Sequence, residues 1–425
     1  MLATAAVILV LTYIGVSFTQ LPHINLDRPA AALTGGLLMV LAGVLTFNQA
    51  IASIDFHTIT LLLGMMLLMS ALQQADFFNV IAARSIALAA RPWQLLLAII
   101  LVTALGSAFM VNDVVVLLFT PVVIAACRLL DRNPTPYLLA EAMASNIGSV
   151  ATEIGNPQNM LIGVTSGIPF GRFVMYLLPV AVISTAILFI TVFVFYRSNL
   201  RVDFQTDKLK HQTLSVIAGL PTPAARKRLL LFTLPVFGLT IVFLFISSFV
   251  GVTVSIVALA GGIAAVLFSG IRPSKLIKTV DWSLLLFFCG LFVVIGGAQQ
   301  AGVLNIFMNT LNVQDSIAGI ASMHVFSAVV SQLVSNVPLT MLVIPVIKGV
   351  PGDVLWVSLA SGSTLGGNAT IIGAVANIIV VEQAYSQGVK LGWWEFSKVG
   401  IVVTALTIAA SIGILALEFN LGILR

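Results

Sequence analysis

The sequence predicts an all-α polytopic membrane protein. Two inverted repeats of about five spans each are expected, every repeat with a re-entrant hairpin and a broken helix. Composition, an internal repeat and polar breaks inside apolar runs predict it. The 425 residues are 59% hydrophobic and only 8% charged, where soluble domains carry about 25% charged residues, and the mean hydropathy is +1.12. Apolar runs of about 20 residues recur, which is the length a hydrocarbon core of about 30 Å demands. Cys127 and Cys289 both stand in apolar runs and form no disulfide or metal pattern.

Taken in order, the opening run "MLATAAVILVLTYIGVSF" lacks a basic leader and a small-residue cleavage site, so it reads as a retained span. Further spans are expected near residues 30–47, 57–75, 137–166 and 173–196, after the first near 3–19. Segment 76–93 reads as an interfacial helix with Arg84 and Arg91 toward water. Segment 94–127 is apolar but divided at Asn112-Asp113. Its second limb is read as about 13 residues, or about 20 Å of helix, too short to cross. A re-entrant hairpin is therefore expected there, leaving five crossings, an odd number that turns the second repeat upside down.

The second half repeats the first. "ALTGG" at 32–36 returns as "ALAGG" at 258–262, and at the same shift of 226 Asp55 meets Asp281 and Gly64 meets Gly290. At a shift of 224, Asn112 meets Asn336 and Pro121 meets Pro345. At a shift of 218, "GSVATEIGNPQN" (148–159) meets "GGNATIIGAVAN" (366–377). The expected organisation is a first repeat over 1–205 with its hairpin at 94–127, a cytoplasmic linker at 206–225, and a second repeat over 226–425 with its hairpin at 316–348. Positive charge agrees with that layout. With the basic stretch 197–228 in the cytoplasm, only Arg172, Lys348 and Arg425 of the 20 Lys and Arg fall on the other side. The +5 net charge is thus a membrane-orientation signal and no sign of nucleic acid.

Polar residues within spans need a reason, because irregular backbone is tolerated at membrane depth only where protein or a watery cavity satisfies it. Four interruptions pair by repeat: Asn112-Asp113 with Ser335-Asn336, and Gly155–Asn159 with Gly366–Asn368. Inverted-repeat carriers place such breaks around a solute site. The candidate solute-binding residues are Asn112, Asn336, Ser335, Thr152, Asn159, Thr370, Asn368 and Asn377. Asp113 and Glu153 are the only carboxylates at the breaks, and an ionisable group inside a bilayer is a functional candidate by default. They are the candidate ion- or proton-coupling residues, with Val337 and Ile371 at the matching places of the second repeat. Glu141 and Glu382 lie nearer the cytoplasmic span ends, and Ser145, Asn146 and Ser149 read equally well as helix-to-helix contacts. No Lys or Arg falls at the four interruptions, so the residues suit a neutral hydroxylated solute or a cation better than a multivalent anion. No metal-ligand cluster, nucleophile elbow or Walker loop is present, which leaves no cofactor and no enzyme chemistry to expect. A channel suits the composition too, though channels have little need of two inverted hairpins.

"FMVNDVVVLLFTPVVI" resembles the N-D-x6-T-P hairpin of the arsenite permease family within the ion transporter superfamily. "SNVPLTMLV" resembles its second hairpin, and "GNPQNMLIG" is similar to segments in relatives that include the P protein. The resemblance covers nearly the whole chain. It implies an elevator-type secondary transporter of the inner (plasma) membrane that expels arsenite and antimonite in exchange for protons, with a cytoplasmic ATPase as an occasional partner. Uncharged As(OH)3 would be held by amides and hydroxyls. Sodium-coupled dicarboxylate or anion carriers of the superfamily, the alternative, show Ser-Asn-Thr at both tips, where this chain has Val-Asn-Asp and Ser-Asn-Val.

Overall fold

The computed structural model describes residues 1–17, 27–75, 77, 80–81, 89, 91–200, 223–304 and 314–424, and among them every regular element is an α-helix. The first half supplies α1 (Leu2–Ser17), α2 (Arg28–Leu41), α3 (Phe47–Ala52), α4 (Phe56–Gln74), α5 (Pro92–Phe109), α6 (Asn112–Leu129), α7 (Thr135–Ser149), α8 (Pro157–Ser166), α9 (Phe170–Phe195) and α10 (Arg197–Leu200). The second supplies α11 (Pro223–Val250), α12 (Val254–Phe268), α13 (Pro273–Lys278), α14 (Trp282–Gln300), α15 (Ile317–Val334), α16 (Asn336–Ile347), α17 (Val354–Gly366), α18 (Val375–Ser386) and α19 (Trp393–Asn420). Eight of these helices contain stretches long and apolar enough to cross a membrane: α4, α5, α6, α9, α11, α14, α15 and α19. Leu37, Leu41, Val194, Phe249 and Leu267 point outward and are well exposed, a surface that lipid covers and water would not. The protein is an all-α polytopic membrane protein.

The halves interlock. α2 packs on α14 and α4 on α12, each pair drawn from both halves. Glycine makes the approach possible: a Cβ at Gly64 would collide with the Ala258–Leu259 backbone of α12, and one at Gly290 with the Ala32–Leu33 backbone of α2. Asp55 and Asp281 cap the starts of α4 and α14 alike, Asp55 accepting the His57 and Thr58 N–H groups and Asp281 that of Leu284. Capping also starts α2, where Asp27 accepts the Ala30 N–H at 2.8 Å and Pro29 needs no partner.

At the centre stand α7 and α17, every residue of which is buried. Such helices have no lipid side, and their Ser, Thr and Asn therefore need protein partners. The spans expected at 137–166 and its counterpart divide where polar residues interrupt them, α7 from α8 and α17 from α18. α5 and α6 turn back on each other at Met110-Val111, with Gly106 facing Val115. α15 and α16 do the same at Ser335. One length differs from expectation. The second limb of the first hairpin has 18 residues, not about 13, because the helix starts at Asn112 itself and runs on through Arg128 to Leu129, so shortness no longer sets this limb apart from a crossing helix. Most of the expected interfacial helix at 76–93 lies outside the described residues, as does the linker expected at 206–225 up to residue 222. Its last three residues belong to α11.

Candidate functional site

Breaking a helix frees carbonyl and N–H groups that must find partners. In the first break the Asn159 amide donates to the carbonyls of Ser149 and Thr152, both at 3.1 Å. In the second, Asn377 donates to Gly367 and Thr370 at 2.8 and 2.9 Å. These are the same bonds, 218 residues apart. Asn156 caps α8 by accepting the Asn159 N–H at 2.8 Å and donates to the Ser149 hydroxyl at 2.8 Å. The Thr152 hydroxyl donates to the Ala108 carbonyl at the end of α5. Thr370 donates to the Gln332 side chain at 2.9 Å, and Gln332 donates to the Gly366 carbonyl at 2.7 Å.

Each hairpin tip docks on the break of its own half. The Asn112 N–H donates to the Gly155 carbonyl at 2.9 Å, and the Ser145 hydroxyl donates to the Asn112 carbonyl at 3.2 Å. The Asn336 amide nitrogen, turned toward the two carbonyls that face it, donates to Gly373 and Ser363, each at 2.9 Å. The two breaks are also tied to each other. Asn146 accepts from Asn112 at 3.1 Å and donates to Asn368 at 2.9 Å and Asn377 at 3.0 Å. Reciprocally, Thr364 on α17 accepts from Asn156 at 3.4 Å and from Gln158 at 3.3 Å. Asn146 and Thr364 are matched positions, 218 residues apart. That shared register of two polar residues was a signal available in the sequence.

A cavity of about 270 Å³ opens where the tips meet the frame. Asn112, Asp113, Ser335 and Asn336 line it from the tips, and Gln158 from the first break. Arg28 and Asp281 line it from the starts of α2 and α14. Four of the expected residues are thus gathered in one wall. Thr152, Asn159, Thr370, Asn368 and Asn377 do not line it; they hold the broken backbone and the cross-links behind it. Glu153 is fully buried against Gly163, away from that wall, and neither carboxylate oxygen has a hydrogen-bond partner. It caps nothing. Ser335 has φ 67° and ψ 166°, a backbone conformation nearly reserved for glycine.

Arg28 corrects the expectation of a site without a cation. Its place among the cytoplasmic charges is a sequence reading, and 308 residues separate it from Asn336, since 336 − 28 = 308. The turn into α2 brings it to the tips. Asp113 and Glu382 lie within its electrostatic reach, and Asp113 also feels Asp281. Among the described residues Arg28 makes no hydrogen bond or ion pair, and the Asp113 carboxylate makes none either. A cation and a carboxylate therefore face the same space with their bonding capacity unused.

The chain is similar in sequence to membrane proteins along its length. It is 32% identical over 419 residues to a 46 kDa membrane protein of Mycobacterium leprae, covering 95% of this chain and 96% of that protein. An uncharacterized transporter of Mycobacterium tuberculosis is 32% identical over 425 residues, covering 95% and 97%. The human P protein is 28% identical over 88% of this chain and 55% of its own length. The fold is similar to that of the YdaH transporter of Alcanivorax borkumensis, with a TM-score of 0.54, 13% identity, and coverage of 99% and 97%. The family model described as citrate transporter matches residues 7–358. A polytopic helical chain with paired breaks around a cavity, matched over most of its length by that model, is a membrane transporter and belongs to the citrate transporter (CitMHS) family.

Proposed function

We propose that the chain is a secondary active transporter in which the cavity at the hairpin tips holds a small carboxylate anion during alternating access. One observation carries this reading: Arg28, without an ion-pair partner among the described residues, shares a 270 Å³ cavity with the amides of Asn112, Asn336 and Gln158. A guanidinium fork matches a carboxylate, and amides and hydroxyls hold the rest of a small polar solute. The family described as citrate transporters supports the same class. The repeats 1–205 and 226–425 would be inverted, joined by a cytoplasmic linker at 206–225, with the re-entrant hairpins 94–127 and 316–348 moving together. The reciprocal packing of α2 on α14 and α4 on α12 supports that symmetry. The membrane is the inner (plasma) membrane on this reading.

Asp113 is proposed as the coupling residue, since it lines the cavity at a tip where each opening rehydrates it. Glu153, buried without partners in the first break, is the second coupling candidate. Thr152, Asn159, Thr370, Asn368 and Asn377 support the binding wall from behind. Replacing Asp113 by Asn is expected to retain downhill exchange of solute while removing acceleration by a pH gradient. Accumulation against a gradient with unchanged pH dependence excludes Asp113.

Efflux of arsenite or antimonite in exchange for protons is the second reading. It is favoured by the hydroxyl and amide groups of Ser335, Asn112, Asn336 and Gln158, which suit an uncharged triol. Uptake into vesicles of citrate, succinate, As(III) and silicate, with and without pH and sodium gradients, separates the two. Saturable citrate or succinate flux supports the carboxylate reading, and As(III) flux alone overturns it.

A further inference from the structure

Arg28 has no counterpart in the other half. The repeat that matches "ALTGG" with "ALAGG" places Asp27 opposite Thr253 and Arg28 opposite Val254. The structure agrees element by element, because Arg28 is the first residue of α2 and Val254 the first of α12. Both helices belong to the interlocked frame, α2 against α14 and α12 against α4. Asn112 and Asn336, by contrast, are a matched pair, one at each tip. The tips thus offer alike amides from both halves, whereas the frame offers a guanidinium from one half and an isopropyl group from the other.

Three features make Arg28 more than a surface charge. It lines the cavity, it forms no ion pair among the described residues, and the helix that carries it is capped and closely packed. Asp27 caps the helix at 2.8 Å, Pro29 follows, and Gly36 lets α2 seat against Gly290 of α14. The charged groups facing Arg28 are Asp113 on α6 and Glu382 on α18, with Asp281 facing Asp113 from the start of α14. These acids lie within electrostatic reach of the guanidinium without occupying its donors. A cavity of about 270 Å³ falls just below the usual range of ligand pockets, roughly 300–1,000 Å³, so a small solute touching the tips also touches the frame.

We propose that Arg28 is a one-sided anchor: it binds the solute's carboxylate in the access state in which the tips face α2, and the opposite state, with Val254 in that place, binds the same solute weakly. The proposal rests on the carboxylate and inverted-repeat readings above and adds to them a residue-level cause of unequal affinity on the two faces. Equilibrium across the membrane is unaffected, because tighter holding in one state is matched by slower departure from it.

The test is the KM for citrate, measured on both faces in right-side-out and inside-out membrane vesicles. Wild-type protein is expected to differ about tenfold between faces, the scale of one charge-assisted pair. Arg28→Gln is expected to raise the KM about tenfold on the tight face and to leave the weak face within about twofold. Arg28→Lys, which keeps the charge and loses the fork, falls between them. Val254→Arg is expected to tighten the weak face, a gain that a misfolded variant does not produce. Equal KM values on the two wild-type faces, an equal rise on both faces in Arg28→Gln, or no tightening in Val254→Arg overturns the anchor while citrate flux keeps the transport reading intact. As(III) flux without citrate flux overturns the carboxylate reading and the anchor with it.

Discussion

Ser335 carries a backbone strain that its counterpart does not. With φ at 67° and ψ at 166° it sits where a side chain costs about 1–3 kcal/mol, while Val111 at the other tip is relaxed at φ −57° and ψ 119°. The strain ends α15 and starts α16 in a single residue, which lets Asn336 reach the carbonyls of Gly373 and Ser363. Ser335→Gly is therefore expected to stabilise the protein by about 1 kcal/mol, the strain relieved less the chain entropy glycine adds. Thermal unfolding in detergent checks it, and an unchanged or lower midpoint counts against a strained tip. Legibility at this scale was uneven. Asn112, Asn336, Thr152 and Asn377 announce themselves as polar residues in apolar runs. Asn146 and Thr364 look like ordinary helix contacts until their register is compared, and their roles depend on partners more than 200 residues away. Arg28 is invisible as a cavity residue, because nothing local to Asp27-Arg28-Pro29 says that a cavity is there.

Glycine decides which helices approach. Gly64 and Gly290 each put a helix backbone against the backbone of its partner from the other half, where a methyl group has no room. Gly413 in α19 meets nothing within 4 Å. Gly290→Ala is expected to destabilise by about 2 kcal/mol through overpacking. Gly413→Ala is expected to be neutral or stabilising, by up to about 1 kcal/mol, because alanine is the better helix former. Paired unfolding curves compare them, and equal effects refute the close-packing account. Helix positions were readable from apolar run length, since a hydrocarbon core sets that length directly. The break between α7 and α8 was readable from Gly155, Asn156 and Pro157. The length of α6 was not: Asn112 and Asp113 read as the turn itself, yet they form the first turn of the helix, which continues through Arg128 to Leu129.

At the scale of the whole molecule, the charge distribution states an orientation. With the basic side inward, Ser274 in α13 faces the cytoplasm and Gly349 after α16 faces out. On a background without Cys127 and Cys289, Gly349→Cys is expected to react with an impermeant thiol reagent on intact cells, and Ser274→Cys only after the cells are opened. The reverse pattern inverts the topology. All-helical membrane architecture followed from composition and the recurring length of the apolar runs, whereas the interlocking of α2 with α14 and α4 with α12 needed coordinates, because sequence similarity between halves does not say whether they pack side by side or through each other. That interlocking bears on how the chain is made. The first half leaves the ribosome with the helix surfaces of α2 and α4 waiting for partners that come only in the second half. Asn146, likewise, waits for Asn368 and Asn377. Until α12 and α14 arrive, the early helices are inserted yet unassembled, and their provisional neighbours are lipids and whatever the insertion machinery provides. A chain truncated near residue 205 lacks the packing partners of α2 and α4 and the acceptors of Asn146.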